Sequence, residues 1–391
     1  MAPGDQALIL PRRVYFDVPA SEALLDLSAV YGLARMLVVY DRSSRLVVEG
    51  LAEALESEGV STRLYQVRAA CRAAGASEGD VNGIVELLRS WEADALVAVG
   101  EPCTICASKL ALLRLHRPTL DLARITLGSR LGVEASRPLL IVVPVGGSRG
   151  READWLAVLD RGASVDLVVN RELSPFAVVL DPALTAPSPE REAMVDVYLD
   201  SLVHSMEALV SRLATPIGEA VALRAVRELV KLAPRLAREE PGEVWRDYIV
   251  ASALGAAATA FASVSLTCAI AFAVQERFGT PHGLTAAILL PHTLKLYEEE
   301  SAQARSKLSE LVAILERIDG QPSLGRAHLH VERILETLGA PRRLRDLGVP
   351  EAEFEGEVSR LAERALSMPI ALQAPVRLSV ETVARLLREA Y

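Results

Sequence analysis

Short blocks of hydrophobic residues alternate with longer amphipathic segments along the first part of the chain. The amphipathic segments 43–59 and 79–91 have helical periodicity. Four apolar runs that end in polar turns are predicted to be strands, namely 34–41, 61–68, 93–100 and 137–144. Strands that alternate with helices at this spacing predict a parallel sheet with helices on both faces. Ligands on such sheets bind at the carboxyl ends of the strands, which here lie near Asp41, Gly100 and Pro144.

The pattern changes after residue 183, because no further run favours a strand. Helical segments interrupted by proline and glycine continue to the end of the chain. Ser188 and Pro189 are expected to be the N-cap and first residue of the first such helix. The sequence therefore predicts an α/β domain over 1–183 and an all-helical domain over 184–391. The length of 391 residues also favours two domains.

One stretch of the helical half, 249–275, contains no charged residue. Its length alone would suit a membrane span. It is rich in alanine and serine rather than leucine, it is the only stretch of its kind, and basic residues do not flank one side. We therefore expect a helix that is buried on all sides within a bundle, and no contact with membranes.

The composition of the chain indicates which partners and which cellular compartment to expect. The net charge is −9 and no basic run is present, so nucleic acid is not an expected partner. The four cysteines, at positions 71, 103, 106 and 268, suggest no disulfide framework, and the first 16 residues lack a signal-peptide pattern. These features predict a cytoplasmic protein. Hydrophobic residues make up 51% of the chain, which favours self-association into a homo-oligomer.

A polar stripe runs along the predicted helix around residue 200. Its members are Asp196, Asp200, His204 and Glu207, and most other positions of this helix are apolar. Asp200 and His204 are four residues apart, so they are neighbours on one face. A carboxylate and an imidazole at this spacing can bind one divalent metal ion, although a solvated face would show the same pattern. His282 begins a long apolar helix in the segment Pro-His-Gly, where the alternative is a capping or core histidine.

The order of three segments along the chain makes the prediction of a metal site more specific. The segments are DPALT (181–185), DSLVHSMEAL (200–209) and FGTPHGLTAAILLPH (278–292). Together they resemble the iron-containing (group III) alcohol dehydrogenase family. That family includes maleylacetate reductases and is related to glycerol dehydrogenase and dehydroquinate synthase. The resemblance implies a Rossmann-like nucleotide-binding domain, then an all-α domain, in a dehydroquinate synthase-like fold with a metal between the two domains.

The resemblance also implies a set of four metal ligands, one aspartate and three histidines in the family. Asp200, His204 and His282 match three of them, and the fourth falls on Cys268. A thiolate there would favour Zn²⁺ over Fe²⁺, whereas the alternative is a small buried hydrophobe. Fourteen residues of straight helix span about 21 Å. Cys268 and His282 can therefore meet at one ion only if the chain turns back, which the segment 277–281 permits.

The nucleotide half departs further from the family. The cofactor-binding residues that the resemblance implies are Asp41, Gly100, Cys103, Lys109, Gly146, Gly147 and Ser148. Asp41 matches an acid that can bind an adenosine ribose hydroxyl, which favours NAD over NADP. In the first phosphate-binding turn, Pro102 removes an amide donor and Glu101 adds negative charge, and both oppose dinucleotide binding. The Cys103–Cys106 pair is interpreted as small residues filling a tight turn rather than as a redox centre.

The activity that the resemblance implies is interconversion of an alcohol and a carbonyl on a small molecule. A divalent metal, zinc or iron, would act as Lewis acid and NAD(H) would exchange hydride. No catalytic residue is assigned, because Phe272 replaces a family histidine near the nicotinamide. Two alternatives remain open. One is a divergent member with the metal site but no dinucleotide redox step, such as a lyase, hydrolase or isomerase. The other is a non-catalytic homologue.

Overall fold

The computed structural model of the chain describes residues 10–68, 75–122, 125, 129, 131–132, 137–146, 150–162, 164–184, 191–319 and 324–391. The chain divides into two compact units, Met1–Pro187 and Ser188–Tyr391. The sequence predicts a boundary at residue 183, close to this division. The predicted helix start at Ser188 and Pro189 lies outside the described residues.

The first unit is an α/β domain. Its strands are β1 (Arg13–Phe16), β2 (Arg35–Tyr40), β3 (Ser61–Gln66), β4 (Ala76–Ser77), β5 (Ala95–Gly100), β6 (Leu139–Pro144), β7 (Leu156–Asp160), β8 (Val165–Val169) and β9 (Ala177–Leu180). Its helices are α1 (Ala20–Tyr31), α2 (Arg45–Ser57), α3 (Glu78–Trp91) and α4 (Pro102–His116). Six strands form a parallel sheet in the order β1-β9-β6-β5-β2-β3, and β4, β7 and β8 form a second sheet. The predicted parallel α/β architecture is confirmed.

The central strands β2, β5 and β6 are almost entirely buried, because helices cover both faces of the sheet. Met36, Val38 and Val97 pack in one cluster with Leu24 of α1 and Leu55 of α2. The parallel register brings the carboxyl ends of these strands to one edge of the sheet. The residues that the sequence singled out after β2 and β5 therefore lie side by side.

Among its described residues, the second unit contains helices and no strand, as predicted. Its helices are α5 (Arg191–Val210), α6 (Pro216–Arg238), α7 (Pro241–Ala262), α8 (Leu266–Phe278), α9 (His282–Glu300), α10 (Ala302–Asp319), α11 (Ala327–Leu338), α12 (Glu351–Ser367) and α13 (Val380–Ala390). Helix α5 packs against α6, α7 and α9, and nearly all of its residues are buried. A helix surrounded in this way needs apolar residues on every side, which explains its weak amphipathicity.

The uncharged stretch 249–275 was predicted to be one helix, and this prediction is wrong. The stretch contributes to two helices, α7 and α8, which are bent by 105° relative to each other. Ser263 has a positive φ of 66° and ends α7. Within the described residues, no single helix is long and apolar enough to cross a membrane. The bent pair of α7 and α8 would be long and apolar enough together, judged by length and composition alone.

The cysteines also differ from expectation. Cys103 is disulfide-bonded, whereas the sequence predicted no disulfide framework. Cys106 and Cys268 are buried free thiols. Cys103 is therefore bonded to neither of them, and the interpretation of Cys103 and Cys106 as small residues filling a turn missed this disulfide. Cysteine spacing alone does not reveal which distant residues the fold brings together.

Candidate metal centre and phosphate turn

The polar stripe of α5 lies in the interior of the second unit. Asp200 and His204 are buried, with 0% and 2% of their surface exposed. The Oδ1 atom of Asp200 lies 3.4 Å from Nε2 of His204. Spacing of four residues puts both side chains on one helical face, as the sequence predicted. Because the whole stripe is buried, the alternative of a solvated face does not apply.

Two further side chains reach this face from other helices. Helix α8 ends at Phe278, and Gly279 adopts the left-handed conformation that reverses the chain before α9 begins at His282. The Nε2 atom of His282 lies 3.7 Å from Oδ1 of Asp200. The ligand atoms of His204, Cys268 and His282 all lie within 4.8 Å of one another. The chain reversal that a shared site requires is therefore present.

His204, Cys268 and His282 form a group that could hold a divalent metal ion, and Asp200 lies beside both histidines. Nitrogen and oxygen ligands bond to zinc at about 2.0–2.1 Å, so two of them on a tetrahedral ion lie about 3.3–3.4 Å apart. The distances from Asp200 Oδ1 to the two imidazole nitrogens, 3.4 and 3.7 Å, are close to that separation. A carboxylate, two imidazoles and a thiol are a ligand set that binds zinc or ferrous iron, and the sulfur favours zinc.

The packing around His282 explains the segment Pro-His-Gly. A Cβ atom on Gly283 would lie 2.0 Å from the carbonyl oxygen of Asp196, so only glycine allows α9 to approach α5 this closely. The ring of Phe272 packs against the imidazole of His282, with 4.3 Å between centroids. Phe272, which replaces a family histidine, therefore supports a predicted metal ligand instead of offering a proton-transfer group.

Glu207 has a role that the sequence analysis missed. Its buried carboxylate accepts hydrogen bonds from the amides of Ser265 (2.8 Å), Thr267 (2.7 Å) and Cys268 (3.3 Å). It also accepts one from the Ser265 hydroxyl, at 2.7 Å. The signal in the sequence was the continuation of the polar stripe one turn beyond His204, on a helix without a solvated face.

In the first unit, Asp41 lies at the predicted end of β2. Its Oδ2 atom accepts hydrogen bonds from the Glu101 amide (2.7 Å) and the Thr104 hydroxyl (3.1 Å). Its Oδ1 atom accepts from the amide and hydroxyl of Ser44, at 3.1 and 3.0 Å. Both carboxylate oxygens are thus engaged by the domain itself. A Cβ atom on Gly100 would lie 1.9 Å from Asp41 Oδ2, which explains why glycine is needed there.

The turn before α4 offers few amides to a phosphate group. The Glu101 amide donates to Asp41, Pro102 has no amide hydrogen, and the Thr104 amide donates to the Glu101 carbonyl at 3.0 Å. A pyrophosphate bound in the family manner requires such donors at a helix start. Two amides of this turn are therefore used within the fold and a third is missing, so the turn offers a pyrophosphate fewer donors than a glycine-rich turn would.

Lys109, a further predicted cofactor residue, is buried inside the first unit. Its Nζ donates to the backbone carbonyls of Asp154 (2.7 Å) and Leu156 (3.3 Å), and to the Asp154 carboxylate at 2.8 Å. Arg151 pairs with the same carboxylate. Burial opposes ionisation of Asp154, but the charges of Lys109 and Arg151 outweigh it and hold its pKa below the usual value. The three donors of Lys109 are therefore used within the fold.

Cys106 and the turn that begins at Gly146 are the other features that the sequence singled out in the nucleotide half. Cys106 accepts a hydrogen bond from the Val158 amide at 3.4 Å, and burial raises the pKa of its thiol. Gly146 follows β6 in a left-handed conformation with φ of 68°, which suits the start of a phosphate-binding turn. Gly147 and Ser148 lie outside the described residues, so their predicted role stays a prediction.

Two family models match the chain. The model for iron-containing alcohol dehydrogenase matches residues 11–182. The C-terminal model of the Fe-containing alcohol dehydrogenase family matches residues 194–391. The two matches correspond to the two compact units, and the second contains all four predicted metal ligands.

Individual relatives agree with this match. An alcohol dehydrogenase of Thermococcus barophilus is 27% identical over 317 residues, which are 80% of either chain. A 1,3-propanediol dehydrogenase of Citrobacter freundii is 24% identical over 399 residues, covering 98% of each. A solved iron-containing alcohol dehydrogenase from Thermococcus thioreducens is similar with a TM-score of 0.85 at 24% identity, covering 98% of this chain and 99% of that one. This last likeness concerns the fold.

Proposed function

The chain belongs to the iron-containing alcohol dehydrogenase family, and on that basis we propose that it interconverts an alcohol and a carbonyl compound at a bound divalent metal. It is an oxidoreductase of the alcohol dehydrogenase type. The alternatives without a redox step are not favoured, because the named relatives are dehydrogenases.

The observation that supports the proposal most is the convergence of His204, Cys268 and His282 from three helices, with Asp200 beside both histidines. Asp200, His204, Cys268 and His282 would hold the ion, and all four are buried. When bound, the metal supplies Lewis-acid polarisation of a carbonyl or alcohol oxygen. The protein contributes exclusion of water around the ligand set, which strengthens the interaction between the ion and the oxygen. With a thiolate among the ligands, zinc is the metal we propose first and iron second.

The redox partner in this proposal is NAD(H), as the family assignment implies. Its binding should be weak, because the first turn supplies neither the Glu101 amide nor a donor at Pro102. The remaining anchors for its phosphates would come from the turn that begins at Gly146. The carboxylate of Asp41 already accepts hydrogen bonds from the Ser44 and Glu101 amides. To favour NAD over NADP, it would have to accept a further hydrogen bond from a ribose hydroxyl.

Partners and location complete the proposal. The substrate is a small molecule, and the names of relatives point to simple alcohols such as a propanediol. We propose a homo-oligomer without nucleic-acid or membrane partners. We also propose a cytoplasmic location. The disulfide at Cys103 is unusual for a reducing compartment and makes localisation a point to test directly.

Turnover by metal-loaded protein tests the proposal. Purified protein, loaded with Zn²⁺ or Fe²⁺, is mixed with NADH and a panel of short aldehydes, and loss of NADH absorbance is followed. We expect metal-dependent oxidation that Asp200→Asn abolishes. Protein that binds both the metal and NADH but changes no aldehyde or alcohol in the panel would overturn the redox assignment.

A further inference from the structure

The two outer carboxylates of the α5 stripe each contact the start of a helix that carries a predicted metal ligand. We infer that Asp196 and Glu207 are positioning residues of the metal centre, one for His282 and the other for Cys268. This inference rests on the proposed metal site. It assigns a function to two buried acids that are not themselves in the ligand set.

Asp196 anchors the start of α9. Its Oδ1 atom accepts a hydrogen bond from the Leu284 amide at 2.8 Å. Leu284 is the third residue of α9, whose N-cap, Pro281, makes no side-chain cap hydrogen bond. The first amides of a helix have no partner within it, so a carboxylate from a neighbouring helix can satisfy one of them and bind the helix end. His282 lies two residues before the anchored amide, so Asp196 fixes the backbone from which its imidazole extends.

The close packing at Gly283 strengthens this anchor. A Cβ atom there would lie 2.9 Å from Oδ1 of Asp196 as well as 2.0 Å from its carbonyl oxygen. The backbone of α9 is thus held against one turn of α5 by a hydrogen bond and by direct contact. Asp196 precedes the predicted ligand Asp200 by one helical turn. A shift of the Asp196 anchor would therefore change the distance between His282 and Asp200 directly.

Glu207 anchors the start of α8 in the same way. It accepts hydrogen bonds from three backbone amides and one hydroxyl, and one of those amides belongs to Cys268 itself. The N-cap of α8, Ser265, makes no cap hydrogen bond of its own along the helix. The carboxylate therefore performs the capping that the local sequence lacks, and it does so at the residue that carries the thiol.

Spacing along α5 joins the two anchors to the two ligands. The stripe has the order anchor, ligand, ligand, anchor at positions 196, 200, 204 and 207. Because one rigid helix carries all four, it fixes where the helices bearing His282 and Cys268 begin relative to Asp200 and His204. Metal ligands must be held within a few tenths of an ångström, and loss of a supporting group typically weakens metal binding about 10- to 100-fold.

Cobalt titration separates a positioning role from ordinary helix capping. Asp196→Ala and Glu207→Ala are compared with Thr215→Ala, which removes the side-chain cap of α6, a helix that supplies no predicted ligand. We expect Co²⁺ dissociation constants about 10- to 100-fold higher for the first two variants and unchanged for the third. Glu207→Ala should also weaken or shift the thiolate-to-cobalt charge-transfer absorption, which reports the Cys268–metal bond, more than Asp196→Ala does.

Double variants identify which ligand each anchor serves. In a His282→Ala background, Asp196→Ala should cause little additional loss of Co²⁺ affinity, and Glu207→Ala should behave likewise in a Cys268→Ser background. Losses that persist in full in those backgrounds, or wild-type Co²⁺ affinity and spectra in the single variants, would overturn the inference. Wild-type protein that binds no Co²⁺ would instead overturn the metal site of the proposed function, and the inference with it.

Conservative variants keep the test decisive if an alanine variant does not fold. Asp196→Asn retains an oxygen acceptor for the single Leu284 amide and should restore most of the affinity. Glu207→Gln retains only one of two oxygens that together accept four donors, so its affinity should lie between those of wild type and Glu207→Ala. Equal Co²⁺ affinity in folded Glu207→Gln and wild-type protein would contradict the role of Glu207.

Discussion

Buried carboxylates contact helix starts in both units, with opposite consequences for ligand binding. In the helical unit, Asp196 and Glu207 engage the amides of α9 and α8, which leaves His282 and Cys268 directed at Asp200 and His204. In the α/β unit, Asp41 engages the Glu101 amide at the turn before α4. That amide is one that a phosphate group would need. The same interaction organises a candidate site in one unit and fills it in the other.

The comparison shows that the identity of a retained residue does not establish its role. Lys109 and Gly100 stand at family positions in the nucleotide half. Lys109 is used in a buried ion pair with Asp154, and Gly100 makes room for Asp41. In the helical half, the substituted position Cys268 still places a potential ligand atom in the site. Geometry therefore supports the metal centre more strongly than the dinucleotide site.

The metal content of His282→Ala gives the largest expected effect. Purified wild-type protein should contain close to one zinc or iron per chain, and the variant should lose most of it, because three ligands hold a divalent ion less well than four. Elemental analysis after gel filtration measures this. His292→Ala is a matched control, since His292 lies on the same helix beside Glu389 and outside the ligand set. Equal metal content in wild type and His282→Ala would show that His282 is not a metal ligand. The helical unit would then have no better support for a ligand site than the α/β unit.

The architecture was accessible from the sequence because it depends on local pattern, whereas the set of four ligands came from the resemblance to the family and remains a prediction. Four strands, β2, β3, β5 and β6, were visible as apolar runs, and β1, β4, β7, β8 and β9 were not predicted. Asp200 and His204 were visible as a pair four residues apart. The break near Ser263 was not predicted. It depends on the positive φ of Ser263 and on Glu207, which is distant in sequence from α8.

The sequence also did not predict that Asp41 binds the Glu101 amide in the turn before α4. This contact is a hydrogen bond between residues 41 and 101, which directly follow two different strands of the sheet, β2 and β5. Sequence indicated the missing donor at Pro102, since proline has no amide hydrogen anywhere. Long-range contacts between side chains and backbone, rather than periodicity, decide how many donors remain for a ligand.

Lys109→Met tests whether this lysine belongs to the fold or to the cofactor site. Removing one partner of a buried ion pair typically costs 3–5 kcal/mol, and because Arg151 still neutralises Asp154 we expect about 3 kcal/mol of lost unfolding free energy. Urea denaturation followed by circular dichroism measures it. Unchanged stability together with weaker NADH binding would show instead that Lys109 serves the phosphates.

Asp41→Ala should have the next largest effect. The Glu101 amide and the Ser44 amide both lose a charged acceptor, so we expect about 2 kcal/mol of lost unfolding free energy. Asp41→Asn retains an oxygen acceptor and should lose less. A residue that mainly binds ribose would behave differently: its alanine variant would keep its stability and shift the ratio of NADH to NADPH affinity.

The last expected effect concerns ligand binding at the turn before α4 and leaves the stability of the fold largely unchanged. Glu101→Gly with Pro102→Gly removes a negative charge and restores one amide donor. A hydrogen bond to a charged group contributes about 1.5–3 kcal/mol, so NADH should bind about 10- to 100-fold more tightly to the double variant. Fluorescence titration of NADH measures this change. Pro216→Gly is the matched control, because Pro216 occupies the same first helical position in α6.

The turn variant is informative because the structure limits its gain to one donor. The amide at position 101 should remain bound to Asp41, so the restored donor is the one at position 102. Adding Asp41→Asn should then increase NADH affinity further only if the Glu101 amide is released from its acceptor. Tight binding by the wild type would mean that donors elsewhere, such as those following Gly146, hold the phosphates. Absence of NADH binding in wild type and variants alike would favour the non-redox alternative, with the metal site retained for different chemistry.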